Sequence, residues 1–126
     1  MNMTFGPDRL IEELGALSLK PEKVTVNPGG IFAVLPGFLI EAGIFQGRVV
    51  DLGLQCTPDY PRSVHSSVHV KASPQLYESQ NIPNVRNIQA SLLGPEWRYW
   101  SKNFNWKGER DARRLLSQIN KIFLDA

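Results

Sequence analysis

Residues 94–108 read GPEWRYWSKNFNWKG and hold all three tryptophans of the chain, directly before its most regular helical pattern. Five aromatic side chains fall within ten residues there, interleaved with Arg98, Lys102 and Lys107. Such a run is either a hydrophobic lid docked on the core with its charges outward, or a surface that stacks on a partner. Large aromatic side chains are mostly buried in folded proteins, so the pattern favours the lid.

Length and composition narrow the class of protein. A chain of 126 residues with 42% hydrophobic content predicts a single domain over residues 1–126. It has neither a bilayer-length apolar run nor the basic-then-apolar start of a signal peptide, so we expect a soluble cytoplasmic protein. One cysteine, Cys56, excludes an internal disulfide framework, and two histidines are too few for the usual structural zinc site. We therefore predict no cofactor and no metal.

Charge is unevenly distributed along the chain. Residues 1–63 hold seven acidic and five basic side chains, whereas residues 64–126 hold five acidic and nine basic ones. The basic excess in the second half could attract an acidic partner or a phosphate backbone. It also fits the solvated face of a terminal helix, and charged helix faces are common, so we favour the helix.

The first half of the chain shows one helical pattern followed by strand patterns. Residues 9–17 place apolar side chains on one helical face, and short strands are expected at residues 23–26 and 31–35, the second ended by Pro36 and Gly37. Residues 47–57 alternate, which predicts an inward face of Val50, Leu52, Leu54 and Cys56 and an outward face of Asp51, Gly53, Gln55 and Thr57.

The second half begins with another strand pattern. Residues 66–71 alternate with Val68 and Val70 inward, which leaves His65, His69 and Lys71 outward and predicts solvent-facing histidines. Residues 72–94 have turn signals and no period, so we predict a long irregular connection there. Residues 109–124 have helical spacing. The predicted order is an N-terminal helix, a four-stranded antiparallel meander, an irregular segment and a C-terminal helix, which is an α+β fold.

This order resembles the ubiquitin-conjugating-enzyme superfamily. The resemblance rests on Pro58, Asp59, Tyr60 and Pro61, which match the superfamily's Pro-x-x-Tyr-Pro turn after a strand with one residue fewer, and on Trp106 before the last helix. Residues 35–38, Tyr60 with Pro61 and residues 97–106 are similar in particular to the prokaryotic branch known as family E, over residues 31–124. We expect structural roles for four residues: Tyr60, Pro61, Trp100 and Trp106.

The departures from the superfamily concern its active site. Active members of the superfamily carry a cysteine eight residues before that tryptophan. By this resemblance the corresponding residue here is Arg98, and residues 72–126 contain no cysteine. The His-Pro-Asn segment of the superfamily has only Ile82, Pro83 and Asn84 as a partial match. Cys56 is expected to be inert, because it lies on the inward face of a predicted strand.

A serine near the lost site is a second candidate nucleophile. Ser101 lies close to Arg98 and Lys102, but a serine hydroxyl needs an adjacent base, and the histidines are predicted on a distant strand. A hydrogen-bonding or helix-entry role for Ser101 is therefore the preferred interpretation.

The resemblance implies a catalytically inactive accessory protein of a bacterial ubiquitin-like conjugation pathway. Its expected partner is a ubiquitin-like protein or the enzyme that activates it, in a heterodimer or larger assembly, and whether the pathway serves antiphage defence stays open. The candidate partner-binding residues are Arg48, Asp51, Gln55, His69, Trp97 and Tyr99. Two alternatives stay open: an active acyl carrier that uses Ser101 or Cys56, and, ranked last, nucleic-acid binding through the basic aromatic segment.

Overall fold

In the part of the chain that the structure describes, two helices and seven strands form an α+β structure. The computed structural model describes residues 5–26, 30–65, 67–77, 80–82, 86–101, 104, 106 and 110–126. In chain order the elements are α1 (Pro7–Ala16), β1 (Glu22–Val26), β2 (Gly30–Leu39), β3 (Val49–Gln55), β4 (Ser67–Lys71), β5 (Gln80–Ile82), β6 (Arg86–Ser91), β7 (Gly94–Ser101) and α2 (Ala112–Asp125).

The strands form one antiparallel sheet in the order β1-β2-β3-β4-β7-β6-β5. The predicted four-stranded meander corresponds to β1–β4, but the predicted strand count is wrong. Residues 72–94, expected to be irregular, contain β5 and β6. The expected lid is also wrong, because residues 94–101 form β7, which pairs with β4 on one side and β6 on the other.

The sequence pattern did not predict β7 as a strand, because the two faces of β7 do not differ in polarity. Trp97 and Tyr99 lie on one face, while Arg98 and Trp100 lie on the other. Three of these four side chains are half-buried and Trp100 is fully buried, so polar and apolar residues do not alternate.

The main core lies between the sheet and the two helices, which both pack on the same face of the sheet. Leu10 and Leu14 of α1 and the buried side of α2 join the inward residues of the strands in one buried cluster. Trp100 is near its centre with 1% of its surface exposed. Its ring lies 5.4 Å from that of Phe123 and 5.6 Å from that of Tyr77, between ring centroids.

A single carboxylate joins α1, the start of α2 and the turn after β3. Glu13 Oε1 accepts hydrogen bonds from the Tyr60 hydroxyl (2.6 Å) and the Ala112 backbone N–H (3.0 Å), and Glu13 Oε2 accepts one from Arg9 Nε (2.6 Å). Burial, followed by the hydrogen bond to Glu13, raises the pKa of Tyr60. Trp106 packs beside this turn and donates from Nε1 to the Pro61 carbonyl at 2.7 Å.

Two element boundaries differ from the prediction for local reasons. β2 continues past Pro36 and Gly37 to Leu39, through a register shift in which Gly37 has a φ of 69° and donates its N–H to Asp51 Oδ1 at 3.0 Å. α2 begins at Ala112, because the Asp111 side chain accepts from the Arg114 N–H and caps the helix. The predicted start, Glu109, lies outside the described residues.

Neither described helix is long and apolar enough to cross a membrane.

Candidate functional site

The face of the sheet opposite the helices, called the outer face here, carries most of the predicted partner-binding residues. Antiparallel register places Asp51, Lys71 and Trp97 in one row across β3, β4 and β7, and Gly53, His69 and Tyr99 in the next row. Gln55 lies on the same face of β3, since side chains alternate along a strand. The structure thus brings together five of the six candidates: Asp51, Gln55, His69, Trp97 and Tyr99.

Arg48, the sixth candidate, lies apart from this face. It precedes β3, and its guanidinium donates to the Pro74 backbone carbonyl in the segment that follows β4.

His65 is exposed, as predicted, but His69 does not face solvent, so the prediction is wrong for His69. Its side chain points away from Val68 and Val70, as the alternation predicted, but only 1% of its surface is exposed. Its ring meets Phe32 and Tyr99 edge-on, at centroid distances of 5.0 and 5.2 Å. A buried side chain offers no surface to a partner.

A second, smaller core on the outer face buries His69. Ser91, at the end of β6, places its hydroxyl 2.7 Å from His69 Nδ1 and accepts the Leu93 N–H at 3.0 Å. These hydrogen bonds hold the turn between β6 and β7 against the sheet, where Leu93 covers Gly53. Phe32 is fully buried beside it but is not part of the main core.

The protonation state of His69 follows from this burial. Burial, with a smaller contribution from the charge of His65, lowers the pKa of His69 to about 4. His69 Nε2 finds no hydrogen-bond partner in the described part of the chain. The imidazole is therefore neutral near pH 7 and is a weak base, so it is poorly suited to activate a nucleophile.

The end of the Leu93 side chain lies close over Gly53. A Cβ atom at this position would lie 2.4 Å from Leu93 Cδ1 and 3.3 Å from the Cβ of His69. We expect Gly53→Ala to lower the free energy of unfolding by about 1–3 kcal/mol, as overpacking does in well-packed interiors. Urea unfolding followed by tryptophan fluorescence measures this change.

A matched control for this substitution is Gly15→Ala in α1. A Cβ there meets nothing within 4 Å, so the helix should gain about 0.5–1 kcal/mol. If the clash with Leu93 causes the loss, Leu93→Ala should be less destabilising in the Gly53→Ala protein than in the wild type. Additive effects of the two substitutions would contradict the clash.

Arg98 is the residue that the sequence resemblance aligns with the cysteine of active members. It lies within β7, paired with Val70 and Ala90. Its guanidinium donates to the Pro95 and Trp97 carbonyls at 2.9 and 3.0 Å. The side chain at this position is therefore a half-buried cation in regular sheet.

Cys56, the only thiol of the chain, follows β3 and is half-buried. Burial raises the pKa of the Cys56 thiol to about 11. Its Sγ lies 3.6 Å from the Leu54 carbonyl. Since the thiolate is the reactive form, this thiol is almost entirely in its unreactive form at neutral pH.

Ser101 ends β7 and lies opposite Ser67 of β4. It is not a helix-entry residue, because α2 begins at Ala112. The prediction that Ser101 lies far from both histidines is also wrong for His69, since β4, which carries His69, pairs directly with β7. However, Nδ1 of His69 is engaged by Ser91.

Sequence reasoning missed the second core because its members are far apart in the chain. Phe32 meets His69 only when β2, β3 and β4 pair, and Ser91 and Leu93 meet it only when β7 pairs with β4. One signal was present in the sequence: a glycine in the middle of an alternating strand often marks a close approach of another element.

Among the described residues, no three His, Cys, Asp or Glu side chains lie close enough together to hold a metal ion.

Comparison with known proteins shows that this chain is E2-like, which means that it is similar to ubiquitin-conjugating proteins. The model of prokaryotic E2 family E matches residues 8–124, and the chain belongs to that family. This confirms the family resemblance found in the sequence and points to a role in a ubiquitin-like conjugation pathway and to interaction with its components. Neither the curated proteins nor the solved structures give a significant match.

Proposed function

We propose that the protein is a catalytically inactive member of prokaryotic E2 family E that binds a ubiquitin-like protein, or its activating enzyme, as an accessory subunit. The observation that carries the proposal is that neither position 98 nor position 56 offers a reactive thiol. Arg98, which the sequence resemblance aligns with the superfamily cysteine, lies within a paired strand, and Cys56 is a half-buried thiol whose pKa is raised to about 11.

The chemical requirements of thioester exchange support this interpretation. Accepting a ubiquitin-like protein requires an accessible thiolate in an electropositive setting. A thiol with a pKa near 11 has about one molecule in ten thousand ionised at pH 7. Ser101 is no better placed, since the nearby His69 is a weak base held by Ser91.

The outer face is our candidate for the binding surface. Both helices cover the opposite face, while Asp51, Gln55, Trp97 and Tyr99 are half-buried and present part of their surface to solvent. Aromatic side chains that lie near the centre of a surface patch commonly dominate binding energies. His69 contributes to this face only by supporting the ring of Tyr99.

Co-elution with a ubiquitin-like protein of the same organism tests the binding face. We expect the wild-type protein to form a stable complex, and Trp97→Ala and Gln55→Arg to weaken it by about tenfold or more, as expected for central interface positions. Leu124→Arg is the matched control, because Leu124 is 56% exposed on α2, on the helix side of the sheet. Absence of co-elution, or equal weakening by Leu124→Arg, would contradict the proposal.

A covalent assay tests the inactive state. The protein is incubated with the activating enzyme, the ubiquitin-like protein and ATP, and the products are separated with and without reducing agent. We expect no adduct. An adduct that disappears in Cys56→Ala or in Ser101→Ala would instead establish the acyl-carrier alternative.

A further inference from the structure

The segment of β3 nearest its start has an open backbone edge. Its ladder with β2 extends to Val49, which pairs with Leu39, whereas its ladder with β4 begins only at Asp51, opposite Lys71. Val49 and Val50 therefore have no strand partner on the β4 side among the described residues. In an antiparallel sheet, successive residues direct their backbone N–H and C=O groups to opposite sides, so one of these two valines points its groups into the gap.

The gap is a groove with a fixed opposite wall. It has a volume of about 650 Å³, which lies within the range of ligand-binding clefts, and its wall is formed by residues 72–75. Two contacts hold this wall in place: Arg48 donates to the Pro74 carbonyl, and Gln75 Nε2 donates to the Glu96 carbonyl at 2.6 Å. Val49, 60% exposed, supplies an apolar surface at the edge of the groove.

The charges around the groove balance one another. Arg48 and Lys71 are positive, while Asp51 and Glu96 are negative, so the four sum to zero. Lys71 and Glu96 form an ion pair at 3.2 Å, and Asp51 accepts the Gly37 N–H. A phosphate or a strongly charged peptide would find no excess of opposite charge here, whereas a neutral backbone would find an open strand edge.

We propose that this groove binds an uncharged, extended peptide segment of a partner protein, which adds as a short strand beside Val49 and Val50. The peptide takes the place beside β3 that β4 leaves after Lys71. Backbone hydrogen bonds to β3 provide affinity, and contact with the Val49 side chain favours a small apolar residue in the peptide. This site borders the outer-face surface of the proposed function at Asp51, but it is argued from the open edge of β3 and is tested at residues outside that surface.

Two substitutions test the groove from its two sides. Val49→Lys places a charge on the β3 side, and Ser73→Trp fills the groove from the exposed position Ser73 on the opposite wall. Leu39→Lys is the matched control, because Leu39 is 49% exposed and is the cross-strand neighbour of Val49, but it does not line the groove.

The probe is a phage-displayed library of random linear peptides, selected on the wild-type protein in the absence of any ubiquitin-like protein. Enriched peptides are synthesised and their affinities measured by fluorescence anisotropy. We expect uncharged sequences whose affinity falls by about tenfold or more in Val49→Lys and Ser73→Trp and stays within about twofold in Leu39→Lys. Hydrogen exchange should show that one of the Val49 and Val50 amides exchanges rapidly and becomes protected when peptide is bound.

Three results would overturn the proposal. One is that no peptide is enriched on the wild-type protein relative to Ser73→Trp. Another is that the enriched peptides bind all three variants equally. The third is that the wild-type protein is a dimer in solution and Val49→Lys is a monomer, because the occupant would then be a second copy of the chain. None of these results bears on co-elution with the ubiquitin-like protein, so this site and the proposed function fail independently.

Discussion

Replacing Trp100 with alanine is expected to lower the free energy of unfolding by about 3–5 kcal/mol, the usual cost of removing a large aromatic side chain from a core. Trp100 is 1% exposed and its ring contacts Tyr77 and Phe123. It is also paired through its backbone with Val68 and Ile88, in the middle of the sheet.

Chemical denaturation followed by circular dichroism measures this loss. The matched control is Trp97→Ala, three residues away on the same strand, where the tryptophan is half-buried on the outer face. We expect the control to lose no more than about half as much stability, because less surface is buried. A Trp100→Ala protein that unfolds like the wild type but no longer binds its partner would assign Trp100 to an interface instead of the core.

Acidification is expected to destabilise the protein through His69. The pKa of His69 is about 4 in the folded state and about 6.5 when the chain is unfolded. The unfolded chain therefore binds a proton that the folded chain excludes, so this contribution to stability is present above pH 6.5 and is lost as the pH falls towards 4. Between pH 7 and pH 5 the loss attributable to His69 amounts to about 2 kcal/mol.

The comparison with His69→Phe isolates this effect from the titration of carboxylates. Phenylalanine keeps a ring against Phe32 and Tyr99 but cannot bind a proton. Urea unfolding at pH 7 and pH 5 should show that the wild type loses about 2 kcal/mol more than the variant over this interval. Equal losses would mean that His69 is accessible to solvent in the folded protein.

The parts of the fold that were predicted correctly are those with a clear period. The apolar stripes of α1 and α2 and the alternation of Val50, Leu52 and Leu54 arise from one buried face against one exposed face, which the sequence pattern records directly. β7 has no such pattern, because both of its faces are partly covered. β5 was missed for a different reason: it is only three residues long, too short for an alternation to be visible.

The candidate site was predicted only as a set of outward-facing residues. Asp51 and Gln55 could be assigned to one face because alternation along β3 decides it. Trp97 and Tyr99 join them because β7 inserts beside β4, which is a long-range pairing that no local pattern encodes. His69 was assigned to the correct face but to the wrong environment, since Leu93 and Ser91 arrive from another part of the chain.

The sequence by itself determined the family, the α+β class, the two helices and the absence of a cysteine from residues 72–126. These features depend on residue identity and on short-range periodicity, which are local properties of the chain. Only the tertiary structure decided that residues 94–101 form a strand inside the sheet, that His69 is buried and neutral, and that the start of β3 has an open edge. Each of these depends on which distant segments pair, and strand pairing is decided by burial on both faces of the whole sheet.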